Sequence, residues 1–582
     1  MKKWKISALA GIAVSGLLLA GCGKSSSSDD ESVSPNKTLT VTVYDDLANY
    51  QGIQSGWFGK LVKDKFNIKL KIIAPNVAGG GNTLFDTRSA AGNLGDIVIT
   101  GAESGRAKNL VKSGLIVDMS KYAKGCKYIK KYKGATDSFN GIVGKKSGVW
   151  GIPGSVSSSS PTAASEGIEP TYGPYLRWDY YSKIGYPKIS TLEDLLPVLK
   201  KMQDVARKEN PGKKIYALSL FKDWDSNMMN NAKQPATFYG YDEIGFVLAK
   251  ADGKEYQDIT KSNSQYVRAL RFFNKANQMG LVDPESSTQN YDKLYSKYQD
   301  GKVLFSFWPW LGESAFNTTA NKNAGKGFEM VDVQDMKIFS KGYTPNGSST
   351  FIALGSKAKD KKRIVKFINW LYSPEGVLAG GAQTGGTAGV KGLTWKMQDG
   401  KPVLTEFGKK ALLDGDAKVP TKWGGGQYKN GVSALNFPAV APTDKDPNTG
   451  YSYSYNAWPS VLAMNNSSLD KDWQAHMGNA QTAMEYLKKN HKLLVAPGSS
   501  YIIPDEKSEL STLRGQAKTE IVNSSWKMVF VKNDSTFNSD LKKMQSTLKG
   551  LDYKKILNVD LKNAKDQNKA RLDVVKQYKN RE

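Results

Sequence analysis

The chain has 582 residues, with 82 Lys and Arg against 55 Asp and Glu, a formal charge of +27, two cysteines and two histidines. So few histidines and cysteines leave almost no material for His-based catalytic triads, zinc hydrolase sites or a disulfide framework. The positive charge favours an acidic neighbour such as an anionic wall, an anionic lipid or an acidic glycan. The lysines are nevertheless spread along the chain, without a zinc-finger, RRM-type or arginine-rich segment, so nucleic acid is not an expected partner.

Lys2, Lys3 and Lys5 precede the apolar run Ile6 to Ala20, which is the pattern of an export signal. The run is shorter than the roughly 20 residues a membrane-spanning helix needs. Leu19-Ala20-Gly21-Cys22 resembles the bacterial lipobox, in which signal peptidase cuts before a diacylated cysteine. Residues 1–21 are therefore expected to be a lipoprotein signal peptide, and Cys22 the lipidated, palmitate-bearing N-terminus. Each buried acyl methylene contributes about 0.8 kcal/mol to such an anchor. Residues 22–37, with Ser25 to Ser28 and then Asp29, Asp30 and Glu31, are too polar to offset their ordering entropy and read as a tether. The remaining length exceeds what one core usually serves, which predicts at least two lobes.

Leu39 to Tyr44 alternates apolar and polar residues and predicts a strand, and a helix is expected over Trp57 to Phe66. Ile68 to Ile73 is again strand-like. The glycine turn Gly79-Gly80-Gly81 comes next, without a Walker lysine or a full GxGxxG to make it a phosphate cradle. A helical stretch and the short strand Asp96 to Ile99 follow, and strands alternating with helices predict an α/β lobe with a mainly parallel sheet. Tyr266 to Met279, Lys361 to Tyr372 and Gln474 to Lys489 carry apolar residues at three and four spacing and predict amphipathic helices. His476 and His491 lie in or beside a lysine-rich amphipathic segment and read as incidental.

Several strings together resemble one family. Ala91-Gly92-Asn93-Leu94-Gly95-Asp96-Ile97-Val98 is followed by Gly114-Leu115-Ile116-Val117-Asp118-Met119 and Gly148-Val149-Trp150-Gly151-Ile152-Pro153. Tyr175-Leu176-Arg177-Trp178-Asp179, with Lys183-Ile184-Gly185-Tyr186-Pro187 and Thr191-Leu192-Glu193-Asp194, is the most specific of them. Gly301 to Phe305 leading to Trp308-Pro309-Trp310, and Ser373-Pro374-Glu375-Gly376, continue the match. The chain thereby resembles the extracellular solute-binding proteins of carbohydrate ABC importers, in their larger Gram-positive lipoprotein branch. Thr387-Ala388 departs from the more acidic pair often found there, and the tail after Val559 is atypical.

The resemblance implies an α/β, periplasmic-binding-protein-like fold with two α/β lobes, a hinge and an interlobe cleft. Its N-lobe is expected over 38–160 and 328–380, and its C-lobe over 161–327 and 381–582. It further implies capture of an oligosaccharide by hinge closure, delivery to ABC permease subunits, and a monomer held on the extracellular face of the cell membrane by its lipid. A sugar needs aromatic platforms for its C–H faces and polar arms for its hydroxyls. Trp308 and Trp310, flanking Pro309, are the leading candidates, because proline excludes both from a regular central strand. Trp57, Trp178, Trp224, Trp423, Tyr428 and the carboxylate of Asp96 complete the candidate set.

The rival readings are a surface glycoside hydrolase, which needs two carboxylates flanking the bond, and a clamp for a peptide or other non-sugar solute. No enzymatic activity and no cofactor are expected. Asp444, Asp446 and Asn448 have alternating oxygen spacing, which keeps a structural calcium ion open as a candidate. Thr449 and Tyr455, however, occupy the places where an EF-type loop carries glycine and glutamate.

Overall fold

The computed structural model describes residues 34–78, 81–382, 386–413, 415 and 417–580. The export signal, Cys22, most of the tether, and Gly79 and Gly80 lie outside the described residues. Among the described residues no helix is long and apolar enough to cross a membrane.

The alternation from Leu39 folds as strand β1 (Leu39–Asp45), burying Val41 and Val43. It pairs in parallel with β2 (Ile68–Ile73) on one side and with β3 (Ile97–Gly101) on the other. A late strand, β4 (Thr350–Gly355), returns antiparallel to β3 and carries the short strands Ile116–Val117 and Ile152–Pro153. The sheet is thus mixed, which corrects the expectation of a mainly parallel one. β4 does not arrive through a crossover helix on this sheet, so it is not bound to enter in the same direction.

Helix Gly56–Phe66 packs Trp57, Phe58 and Val62 inward, and the left-handed Asn67 ends it by donating its N–H to the Lys63 carbonyl. Helix Lys361–Leu371 starts where the Asp360 carboxylate accepts from the Arg363 N–H, and it buries Ile364, Val365, Phe367 and Ile368. The segment Gln474 to Lys489 is not one helix but the ends of two, Ser468–His476 and Ala483–Lys489. Gly478 and Asn479 both take positive φ, which breaks the run, and the Thr482 hydroxyl then caps the second helix.

A second core is built on a small antiparallel sheet, in which Tyr175–Arg177 pairs with Phe305–Ser306 and with Phe328–Met330. Parallel bridges Tyr216–Val303 and Leu218–Val282 extend it. The amphipathic helices Leu195–Glu209 and Gln265–Gln278 cover it, the latter capped by the Ser264 hydroxyl on the Val267 N–H. Three helices, Ser508–Phe530, Asp534–Gly550 and Tyr553–Lys579, end the chain. Asp560 of the last one accepts from the Phe246 N–H at 2.7 Å and from the Arg514 guanidinium at 2.7 and 2.9 Å, which fastens the bundle to this core.

Two of the expected lobe boundaries move. Residues from Phe328 to Ile338 pack in the second core, because Phe328–Met330 is a strand of the second sheet. Residues from Ala388 to Val461 pack in the first, where Tyr428, Leu435 and Trp458 join Trp57 and the β1 side chains. The chain therefore passes between cores near 157–163, near 340–350 and after 461.

These passages are bound together. Asp444 accepts from the Ser157 hydroxyl at 2.9 Å, the Ser158 N–H at 2.7 Å and the Ser159 hydroxyl at 2.7 Å. Next to it the Thr443 hydroxyl donates to the Ser165 carbonyl, and the Tyr343 hydroxyl donates to the Thr443 carbonyl. The Lys445 N–H also donates to Asp444 at 2.9 Å, so the carboxylate put forward as a calcium ligand is engaged by four donors of the chain itself. Asp444→Ala strands those donors beside a buried site, and urea unfolding should show a loss of about 2 kcal/mol or more.

Candidate functional site

Ligands of open α/β sheets bind beyond the carboxyl ends of the strands. In the second core, the parallel segments through Leu218 and Val303 lead to Phe221 and Trp308. The strand Phe305–Ser306 stops there because Pro309 cannot donate to a ladder. Instead Pro309 opens the helix Pro309–Phe316, where its missing N–H has no intrahelical partner to lose. Trp308 turns inward, 4% exposed, whereas Trp310 remains 37% exposed.

Trp224, 44% exposed, completes an aromatic surface with them. Its ring centroid lies 5.5 Å from that of Trp310, and Trp308 lies 5.1 Å from Trp310. Tyr291 stacks on Trp224 at 5.0 Å and 23°. The residues on either side of Trp224 hold it in place. The Asp223 carboxylate accepts the Tyr291 N–H at 2.7 Å, and Asp225 accepts the Asn230 N–H at 2.8 Å and the Trp526 indole N–H at 2.6 Å. An exposed aromatic anchored this way needs little ordering to receive a ligand.

Glu313, one turn along the helix from Trp310, shares an enclosed region with Glu169, Glu329 and the Lys322–Asp470 ion pair. Glu169 accepts from the Tyr175 hydroxyl at 2.7 Å. Burial pushes the Glu169 carboxyl up to about 7, and burial with the neighbouring carboxylates raises Glu313 and Glu329 well above the usual range.

At the carboxyl ends of β1 and β3 the first core presents a polar network. Asp46 accepts from the Arg106 Nη1 at 2.7 Å and from the Thr100 hydroxyl, and Arg106 Nη2 donates to Asn82 at 3.2 Å. The guanidinium lies 4.4 Å from the centre of the Phe85 ring, beside a cavity of about 420 Å³. Sequence reasoning missed Asp46, Arg106 and Tyr291. A signal for the first was present, since Asp45-Asp46 directly ends an alternating strand.

The structure brings Trp308, Trp310 and Trp224 together and places the other candidates elsewhere. Trp57 is 1% exposed, stacks on Tyr428 at 5.3 Å and 10°, and donates its indole N–H to the Tyr428 carbonyl. The glycines near this contact serve close packing: a Cβ on Gly56, at φ +67°, would meet the Gly431 Cα at 2.3 Å. Trp423 is half-buried against the same core. Trp178 is buried and donates to Asp472 at 2.6 Å. Asp96 stands before β3, at the strand end away from the network, and accepts the Thr42 N–H at 2.7 Å. Trp57, Tyr428 and Trp178 are buried in packing contacts, Trp423 is half-buried, and the Asp96 carboxylate is engaged in strand pairing.

The chain belongs to the bacterial extracellular solute-binding proteins, whose family model matches residues 60–395. No curated protein sequence matches it. Among solved structures, a substrate-binding protein of an ABC transporter from S. pneumoniae, FusA in complex with kestose, is 13% identical. The match covers 92% of this chain and 100% of that one, with a TM-score of 0.57. A solute-binding protein from Bifidobacterium longum infantis described as HMO-binding is 14% identical over 91% of this chain and 99% of that one, at 0.54. The alginate-binding protein AlgQ2, solved without calcium ion, is 13% identical over 92% and 98%, at 0.53. At these identities the likeness is one of fold: two α/β lobes of the periplasmic-binding-protein kind.

Trp57→Ala empties a core site and should cost about 3–5 kcal/mol, whereas Trp310→Ala should cost about 1 kcal/mol or less; paired denaturation curves separate the two roles. For Glu169 the folded pKa lies above the unfolded one, so the folded chain holds more protons between the ordinary glutamate range and about 7. Stability is therefore full at the acid side and is lost as pH rises through that window. Melting temperature should fall between about pH 5 and about pH 7.5, and Glu169→Gln should flatten the dependence.

Proposed function

We propose that this protein is the lipid-anchored receptor of an ABC importer, which captures an oligosaccharide between its two lobes and presents it to the permease. The observation that carries this reading is the surface at the strand ends where Trp224 and Trp310 are exposed and the half-buried Tyr291 backs Trp224, held by Asp223 and Asp225. A sugar ring offers C–H groups on its faces, which such rings receive, and hydroxyls on its edge, which need donors and acceptors. The partly exposed Asp46 and Arg106, held by the buried Thr100 hydroxyl and by Asn82, offer these from the first lobe.

Closure about the hinge buries the ligand from both sides, and exclusion of water strengthens each polar contact. The ligand selects the closed form, and that form is what the permease reads. The protein acts as a monomer at the outer face of a Gram-positive membrane, held by acyl chains on Cys22 and by the tether that follows. The similar structures, a complex with kestose, an HMO-binding protein and an alginate-binding protein, support a glycan ligand here. Membership of an extracellular solute-binding family supports binding without turnover.

A thermal-shift screen of the chain against oligosaccharides tests the reading, since a ligand that binds only the native state raises its melting temperature. One glycan class should shift it and be recovered intact. Cleavage of the glycan would replace the receptor by a hydrolase, and a response to peptides alone would replace the ligand class. Trp310→Ala should weaken the responding glycan by about 1–2 kcal/mol, roughly tenfold, in titration calorimetry. Cys22→Ser should abolish palmitate labelling and release the protein from membranes.

A further inference from the structure

A cavity of about 460 Å³ opens where the last helix, Tyr553–Lys579, reaches across to the first core. Its near wall is the loop leaving β3, at Ala102 and Gly105, with Ser138 and Ile142 of the helix Lys133–Ile142. Its far wall is the segment 499–502 and the end of the last helix at Asp573, Val574 and Gln577. The Asn346 amide donates to Gln577 Oε1 at 3.1 Å, and the Tyr578 hydroxyl donates to the Ser158 carbonyl at 3.0 Å. Those two contacts tie the helix end to two of the passages between cores, while Asp560 fastens the same helix to the second core. The volume falls within the roughly 300–1,000 Å³ of small-molecule sites.

The lining has a definite chemistry. Ser138, Asn346, Ser499, Ser500, Tyr501 and Gln577 bring hydroxyls and amides to the lining, and Ala102, Ile142, Ile502 and Val574 bring apolar surface. A sugar ring asks for this combination, with its C–H faces on the apolar part and its hydroxyl edge on the donors and acceptors. In a chain of net charge +27, no Lys or Arg lines the cavity among the described residues, and the charged side chain in the lining is Asp573. A uronate or sulfate placed here would lose hydration without a cation to replace it, and would face a like charge.

We propose that this cavity is a sugar subsite built by the C-terminal helix, and that it selects uncharged glycans over acidic ones. The inference rests on the oligosaccharide reading above. It is tested on the full-length mature chain by calorimetric titration with neutral oligosaccharides and with oligouronates. The wild type should bind a neutral member and prefer it to the oligouronates. Gln577→Trp, which fills the cavity, should weaken that neutral ligand about tenfold or more, and by more than Gln577→Ala, which gives up the same Asn346 bond without filling the cavity. Asp573→Lys, an exposed change that leaves the core intact, should raise affinity for the oligouronate relative to the neutral ligand. Tighter binding of oligouronates by the wild type, or an unchanged affinity in Gln577→Trp and Asp573→Lys, would overturn the subsite while leaving the oligosaccharide reading standing. Failure of every glycan to bind the wild type would instead overturn that parent reading.

Discussion

Three donors from consecutive serines converge on the carboxylate of Asp444, and through this knot two cores of one chain are held next to each other. A long polypeptide that divides its apolar residues between two cores must pass between them, and backbone in the passages has no full ladder to satisfy it. Here the passages satisfy one another. Ser157 to Ser159 bond to Asp444, Tyr343 to Thr443, and the end of the last helix to Asn346 and the Ser158 carbonyl.

From that frame the site follows with few additional parts. Strand ends at Asp45 and Gly101 present Asp46 and Arg106, and the ends of the second sheet present Trp224 and Trp308 to Trp310. Neither group is loose: the guanidinium is held by Asp46, Asn82 and the Phe85 ring, and Trp224 by its two aspartate neighbours. Side chains held in this way lose little conformational entropy in any contact they go on to make. The net charge, by contrast, says little about the ligand, because no Lys or Arg stands among the described residues that line the cavity beside the last helix.

Much of the first sheet is legible in the amino-acid order alone. The alternation in Leu39 to Tyr44 and Ile68 to Ile73 has a period of two that only a half-buried strand uses. The proline between Trp308 and Trp310 likewise forbids a continuous strand, and the helix start observed at Pro309 obeys that rule. The aromatic candidates divide according to contacts that sequence does not display. Trp57 and Tyr428 stack although 371 residues separate them in the chain, whereas Trp224 stays exposed between aspartates that bond to Tyr291, Asn230 and Trp526. The glycine-rich loop at Gly424 to Gly426 packs against the start of a helix that carries its own glycine, Gly56, at the point of approach.

The sequence by itself determined the local periods, the breaks at proline and glycine, the small number of catalytic residue types and the need for more than one core, since these depend on neighbours a few positions apart or on composition alone. The tertiary structure alone decided that β4 runs antiparallel to β3, that residues 388–461 join the first core, and that the C-terminal helix walls a cavity against the other lobe. Each of those outcomes is set by the packing of segments hundreds of residues apart. Many pairings of that kind bury similar apolar area, so hydrophobic pattern does not choose among them, and shape complementarity does.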